Sequence, residues 1–252
     1  MALNADLEAW LRLSLLPGLG HHSLRKLLVA LGSPENILAA SRRVLSEIVA
    51  EKIANTICQG GAAPTLWSGV GAWLDDPANR VVTLADTEYP QSLLEIPDPP
   101  PLIYVKGRLD LLNRAGFAIV GSRNGTAQGL ANAEAFAAAL SNAGLTIISG
   151  LALGIDAAAH RGGLAGTSST IAIIGTGLDV VYPARNRALA HKIAASGTLV
   201  SEFPLGTPAL ATNFPRRNRL ICGLSKGCLV VEAAVSSGSL ITARLATDQG
   251  RE

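Results

Sequence analysis

The sequence predicts an α/β fold, a parallel sheet with crossover helices on both faces, preceded by a small helical domain. Three observations carry this. The stretch FAIVGSRNGTAQGLANAEAFAAALSNAGLTIISGLALGIDAAAH, residues 117–160, reads strand, glycine turn, helix, twice over. Such alternation argues parallel strands joined by crossovers. A third unit follows, with TIAII, then Gly175-Thr176-Gly177, then a helix expected over Arg187 to Ala195. The first 75 residues, by contrast, show only helical spacing.

Taken in order, ADLEAWLRLSLL is a helix with Asp6 near its start, stopped by Pro17-Gly18-Leu19-Gly20. HHSLRKLLVAL resumes with Ser23 as the expected cap, and Gly32-Ser33-Pro34 separates it from the next helix. A helix pair joined by LPGLG resembles a helix-hairpin-helix element, whose amides meet a DNA phosphate. The plainer reading, a turn in a helical bundle, ranks ahead of it, because this half of the chain is not basic. Residues 76–101 are expected to be a proline-rich connector, since Tyr89-Pro90 and Asp98-Pro99-Pro100-Pro101 impose extended backbone. LIYVKG opens the second domain, residues 102–252. After the third unit, TLVSEFP reads as a strand, GTPALATNFPRRNR as a polar loop, LICGLS as a helix and GCLVVEA as a strand. Ser236-Ser237-Gly238-Ser239 then opens the last helix. The chain stops just after that helix, where a doubly wound domain usually returns to its sheet, so a truncated C-terminal end is expected.

Composition narrows the class. The 252 residues are apolar enough for a real core, no run is long enough to span a bilayer, and residues 1–16 carry Asp6, Glu8 and Arg12, unlike a cleavable leader. Cys58, Cys222 and Cys228 form neither a disulfide frame nor a metal spacing, so reduced, buried thiols in a cytoplasmic protein are expected. The net charge of +2 is unevenly placed: from residue 115 onward there are 11 Lys/Arg against 7 Asp/Glu, a net of +4, leaving −2 for the remainder.

Four expected strands end in glycine or serine turns that open helices: Gly121-Ser122-Arg123, Ser149-Gly150, Gly175-Thr176-Gly177 and Ser237-Gly238-Ser239. Glycine admits a ligand close to the backbone, and helix N-termini offer unpaired amides. Converging at one sheet edge, these turns predict an anion site. The dinucleotide fingerprint is not met: Gly121, Gly125 and Gly129 are spaced by four, and Val180 stands where Gly175 and Gly177 would need a small third residue. A Walker loop and a P-G-G-x-G-T segment are absent. Asp156 and His160, four apart on one helix face, form a candidate acid/base pair that more often is a capping contact. No convincing catalytic group, metal site or cofactor emerges. An enzyme of the phosphoribohydrolase-like type, acting on a nucleotide, is kept as the alternative.

The arginines say more. Arg123 follows a glycine turn, Arg185 and Arg187 follow the third, and Arg216, Arg217 and Arg219 crowd one segment beside Phe214. Guanidinium groups grip phosphates in pairs of hydrogen bonds, and an aromatic face stacks a base. That combination suits single-stranded nucleic acid.

The segments IVGSR (119–123), SGLALGIDAAAH (149–160), GTGLDVVYPARN (175–186), SEFP (201–204), FPRRNRLICGLS (214–225) and VVEAAVSSGSLITARLA (230–246) together resemble the DprA/Smf family, the DNA-processing proteins of natural transformation. The helical part resembles that family's sterile-alpha-motif-like (SAM-like) domain. The resemblance implies an extended Rossmann-like domain that binds single-stranded DNA without sequence preference. It also implies a homodimer that loads the RecA recombinase onto strands coated by single-strand-binding protein. Its G-S-R arginine maps onto Arg123, and its F-P-x-R-N-R segment onto Phe214, Arg217, Asn218 and Arg219. A family lysine falls at Ala211. With the turns, the implied phosphate-binding set is Gly121, Ser122, Arg123, Ser149, Gly150, Gly175, Phe214, Arg217, Asn218, Arg219, Ser237, Gly238 and Ser239, and no residue is assigned to catalysis.

Overall fold

The computed structural model describes residues 3–233 and 238–252. They form two compact units, residues 1–77 with 98–102, and residues 78–97 with 103–252.

The first unit is helical. It contains α1 (Ala5–Ser14), α2 (His21–Leu31), α3 (Pro34–Ala39), α4 (Arg42–Ser46), α5 (Glu51–Cys58) and α6 (Val70–Trp73). Short polar residues start three of them: the side chains of Asn4, Ser33 and Ser41 accept from the backbone N–H of Leu7, Asn36 and Val44. The α2 start departs from expectation. Gly20, in extended backbone, takes the cap position, and Ser23 lies within the first turn. Leu16 and Leu19 of the LPGLG turn are buried with Leu13, Leu24, Leu27, Ile37, Leu45 and Ile57, so the turn's apolar residues serve this unit's core.

The second unit is a seven-stranded sheet. Its elements are β1 (Asn79–Thr83), α7 (Gln91–Leu94), β2 (Leu102–Gly107), β3 (Gly116–Gly121), α8 (Ala127–Asn142), β4 (Thr146–Ser149), α9 (Ile155–Ala165), β5 (Thr170–Ile173), α10 (Arg187–Ser196), β6 (Thr198–Ser201), α11 (Asn213–Gly223), β7 (Ser225–Val231) and α12 (Gly238–Asp248). The order is β1-β2-β6-β5-β4-β3-β7. The five strands from β3 to β7 run parallel to one another. Alternate residues serve opposite faces. Ala118, Val120 and Ile148 join Leu220, Ile221 and Leu224 in one core, while Ile119 and Ile147 join Ala133, Ala137, Ala158 and Ala159 in another. The second core explains the alanine-rich α8. Small side chains there, with Gly162 in α9, let the two helices approach until a Cβ at 162 would strike the Glu134 carbonyl.

Three expectations need correction. The sheet is mixed: β2 pairs antiparallel with β6, Tyr104 opposite Ser201. An antiparallel neighbour needs no crossover helix, so strand–helix alternation carried no sign of it. The expected connector is folded: it holds β1 and α7, and it buries Val82, Tyr89, Leu93 and Ile96. Its prolines are compatible with this, since Pro90 sits at the cap of α7, in the extended backbone proline favours. Cys58 is exposed rather than buried, although Cys222 is buried and burial pushes its thiol up to about 12. Among the described residues, no helix is long and apolar enough to cross a membrane.

Candidate nucleic-acid interface

Strand β3 is the point at which sheet growth reverses, with β4 on one side and β7 on the other. In open α/β sheets, ligands enter the crevice outside the strands' carboxyl ends at such a point. A cavity of about 630 Å³ opens there, lined by the end of β3, the start of α12 and one face of α11. That volume is in the range of small-ligand sites.

The sequence from Phe214 onward is helical rather than looped. Pro215 is the third residue of α11, in the first turn, where no backbone N–H is required. Phe214, Arg217, Asn218 and Ile221 then fall at helical spacing on one stripe, and all four line the cavity. Arg216 and Arg219 fall off that stripe. They meet the buried Glu202 carboxylate, Arg219 by a direct hydrogen bond and Arg216 at 3.6 Å. Arg219, grouped with Arg217 and Asn218 in the expected set, is therefore not a cavity residue.

The two arginines at the cavity have different settings. Arg123 is exposed at the turn after β3 and has no hydrogen-bond or ion-pair partner among the described residues. Arg217 is only 6% exposed. Its Nη1 donates to the carbonyls of Gly150 (2.6 Å) and Ile173, and its Nε donates to Asn218 Oδ1 at 3.0 Å. Burial, partly offset by Asp156, brings its guanidinium down to about 10, so it stays charged at neutral pH.

The aromatic wall is larger than expected. Phe214 meets Tyr182, with ring centres 5.5 Å apart and planes at 37°, and Tyr182 is 49% exposed. Tyr182 is a residue that sequence reasoning missed. Its signal was an aromatic a few residues beyond the third glycine turn.

Of the four turns expected to converge, Gly121-Ser122-Arg123 and Gly238-Ser239 line the cavity; Ser237 lies outside the described residues. The others support it from behind. Ser149 is fully buried and its hydroxyl donates to Ile119 O at 2.7 Å. A Cβ at Gly150 would overlap the Arg217 guanidinium, one at Gly175 would come within 2.9 Å of the Phe214 ring, and one at Gly121 would strike the Val231 carbonyl. These three glycines admit other parts of the protein rather than a ligand.

The loop after β4 is fixed by side chains. Asp156 Oδ2 accepts from the N–H of Gly150 (3.1 Å) and Ala152 (3.2 Å), and Asn186 Nδ2 donates to the carbonyls of Leu151 (2.9 Å) and Ala152 (3.0 Å). Leu151 is held at φ 59°, a left-handed conformation that non-glycine residues seldom adopt. Gly154, at φ 78°, passes so close to the carbonyls of Ser122 and Arg123 that no side chain fits. Burial pushes the Asp156 carboxyl above its usual range, against the opposing pull of Arg217 and the two amides.

His160 completes this network. The Leu151 N–H donates to Nε2 (3.2 Å), and Nδ1 lies 2.7 Å from Thr170 Oγ1, whose own hydrogen goes to Ile147 O. Nδ1 therefore carries the single ring proton. Burial first, and the charge of Arg217 second, push its pKa down to about 3, from 6.5. Between those values the unfolded chain binds more protons, so the stabilisation is whole above about pH 6.5 and falls by about 1.4 kcal/mol per unit below it, a loss of about 2 kcal/mol at pH 5. We expect the stability of a His160→Asn variant, measured by urea unfolding, to depend less steeply on pH between 6.5 and 5 than that of the native chain. Parallel curves would exclude His160 as the titrating group.

A doubly wound domain with an unpaired arginine and two aromatics in its switch-point crevice is a Rossmann-like domain. More particularly, the chain belongs to the DNA recombination-mediator protein A family, whose model matches residues 80–252. It is 47% identical over 181 residues to protein Smf of Escherichia coli, covering 71% of this chain and 48% of that protein. It is 46% identical over 170 residues to DNA processing protein DprA of Streptococcus pneumoniae, covering 68% of this chain and 60% of that one. The chain thus spans about half the length of the curated relatives it matches. Among solved structures, that of the S. pneumoniae DprA aligns over 100% of this chain and 86% of its own, with a TM-score of 0.78 and 35% identity. The Helicobacter pylori DNA processing protein A, whose structure is described as showing a unique single-stranded DNA binding mode, aligns over 68% of this chain and 78% of its own, with a TM-score of 0.63 and 30% identity.

Proposed function

We propose that this chain binds single-stranded DNA without sequence preference and acts as a recombination mediator in natural transformation. In this reading it works in the cytoplasm as a homodimer, protects the incoming strand and loads RecA onto it in exchange for single-strand-binding protein. It does so by binding, not by catalysis. One observation carries the proposal: an unpartnered, exposed arginine shares one cavity at the strand ends with an aromatic pair, exposed Tyr182 and half-buried Phe214. Arg123 suits a phosphate and Phe214 with Tyr182 suits a base, a pairing that recognises a strand whose bases are unstacked. Arg217 has a positioning role here, because its Nη1 already serves two backbone carbonyls and its Nε the Asn218 side chain. The likeness to the H. pylori protein supports the reading.

The enzymatic alternative rests on Asp156 and His160. Both nitrogens of His160 are engaged, and Asp156 is 6% exposed and bonded to two loop amides. Neither is set to exchange protons with a substrate, and this disfavours the alternative.

The test is a salt titration of binding to a single-stranded homopolymer, against a duplex of equal length. Tighter binding to the single strand, weakening as salt rises, is expected; equal affinity for the duplex would overturn the proposal. Stacking gives a second check. Phe214→Ala is expected to weaken binding by about 1 kcal/mol, the low end of about 1–3 per base, because Tyr182 keeps part of the platform. The salt slope should stay unchanged, since stacking releases no counterions; a shifted slope would assign Phe214 another role.

A further inference from the structure

Between Asp179 and Glu202 the chain has no carboxylate, yet it carries Arg185, Arg187 and Lys192. All three are exposed, and none has an ion-pair or hydrogen-bond partner among the described residues. That sets them apart from Arg108, Arg114, Arg161 and Arg251, each paired with a carboxylate. Their place in the fold is fixed. Arg185 and Arg187 flank Asn186, which is buried and bonded through Nδ2 to the carbonyls of Leu151 and Ala152. Ala152 lines the cavity, and so does Tyr182, three residues before Arg185. Lys192 lies five residues along α10 from Arg187, about 7.5 Å further along the axis and about 140° round it. In sequence the basic run begins at the cavity's aromatic wall and continues over α10.

We infer that Arg185, Arg187 and Lys192 form an exit track, along which the phosphates of a bound single strand continue past Tyr182 after leaving the cavity. This rests on the reading that the cavity holds single-stranded DNA. The cations complement a polyanion, they adjoin the cavity without a gap in sequence, and no acidic residue of the run opposes them. The site is thus longer than the cavity, and affinity rises with strand length.

The experiment compares native chain with the combined Arg185→Ala, Arg187→Ala, Lys192→Ala variant on oligothymidylates of about 6 and about 20 nucleotides, lengths that bracket the usual site sizes. All three side chains are exposed, and the variant's unfolding curve checks that the fold is kept. On the long strand the variant is expected to bind about tenfold or more weaker, with a salt slope shallower by roughly 2, near 0.7 for each of three lost phosphate contacts. On the short strand it should match the native chain. Native affinity and slope on the long strand would overturn the track while leaving the cavity's role intact. An equal loss on both lengths would overturn it too, by placing the three cations in the cavity site itself. Binding of neither length by the native chain at low salt would overturn the reading of the cavity, and the track with it. If an acidic protein competed the native chain but not the variant, with DNA binding unaffected, the surface would belong to that partner instead.

Discussion

Replacing Arg217 with alanine is expected to destabilise the sheet unit by about 3–5 kcal/mol, the combined cost of leaving two strand-end carbonyls without their donor and a buried carboxylate without the nearby charge that opposes it. The guanidinium is buried beside Asp156, and its hydrogen bonds satisfy the carbonyls of Gly150 and Ile173 at the ends of two strands. Without it, two carbonyls lose their donor and a buried carboxylate loses its cation. Urea unfolding measures the loss. Asp156, whose carboxyl burial already pushes upward, then relieves the unpaired charge by taking a proton, so the deficit should shrink as pH falls. Adding Asp156→Asn to Arg217→Ala should recover part of the deficit at pH 8, because a neutral amide needs no cation. Arg217→Lys should recover little, since a single ammonium does not reproduce the planar fork. A deficit below about 1 kcal/mol, in the range of an exposed pair, would show that Arg217 does not hold this network.

That role was half legible in the sequence. The pattern of strand, turn and helix over 117–160 gave β3, α8, β4 and α9, and the resemblance brought Phe214, Arg217 and Asn218 together with Arg123. The direction of each arginine was not legible, because it depends on where α11 begins. Pro215 reads as a loop residue, yet in the first turn of a helix it costs no hydrogen bond. With the helix started at Asn213, the 3.6-residue period sends Arg217 inward and leaves Arg216 and Arg219 to Glu202.

The glycines show a second limit. A glycine reports that something passes close to the backbone, not what passes. At Gly121, Gly150 and Gly175 the visitor is the Val231 carbonyl, the Arg217 guanidinium and the Phe214 ring. Only the structure separates these from a turn open to ligand. The edge of the sheet was hidden for a related reason. Extended backbone forced by proline is also the backbone of a strand, and burial of Val82, Tyr89, Leu93 and Ile96 made residues 78–97 part of the domain.

Arg123→Ala should produce the complementary result, a binding defect without a folding defect. The side chain is exposed and unpartnered, so thermal unfolding is expected to match the native chain. Its backbone is well held. Ser122 donates to Val231 O (3.3 Å) and accepts from Ile155 N (3.1 Å), and its hydroxyl accepts from Asn124 N (3.1 Å). The turn is already ordered, so meeting a phosphate orders the arginine side chain alone, and the charge-assisted hydrogen-bond energy of about 1.5–3 kcal/mol sets the scale of the loss. The expected loss on a single strand is roughly 10- to 100-fold, alike for all sequences, with the salt slope reduced by about 0.7 for the phosphate released. Arg123→Lys separates charge from geometry: it should restore the slope but only part of the affinity, because lysine meets a phosphate as a point charge. Affinity within about twofold of native for the alanine variant would remove Arg123 from the interface, and with it the cation on which the cavity's fit to a single strand depends.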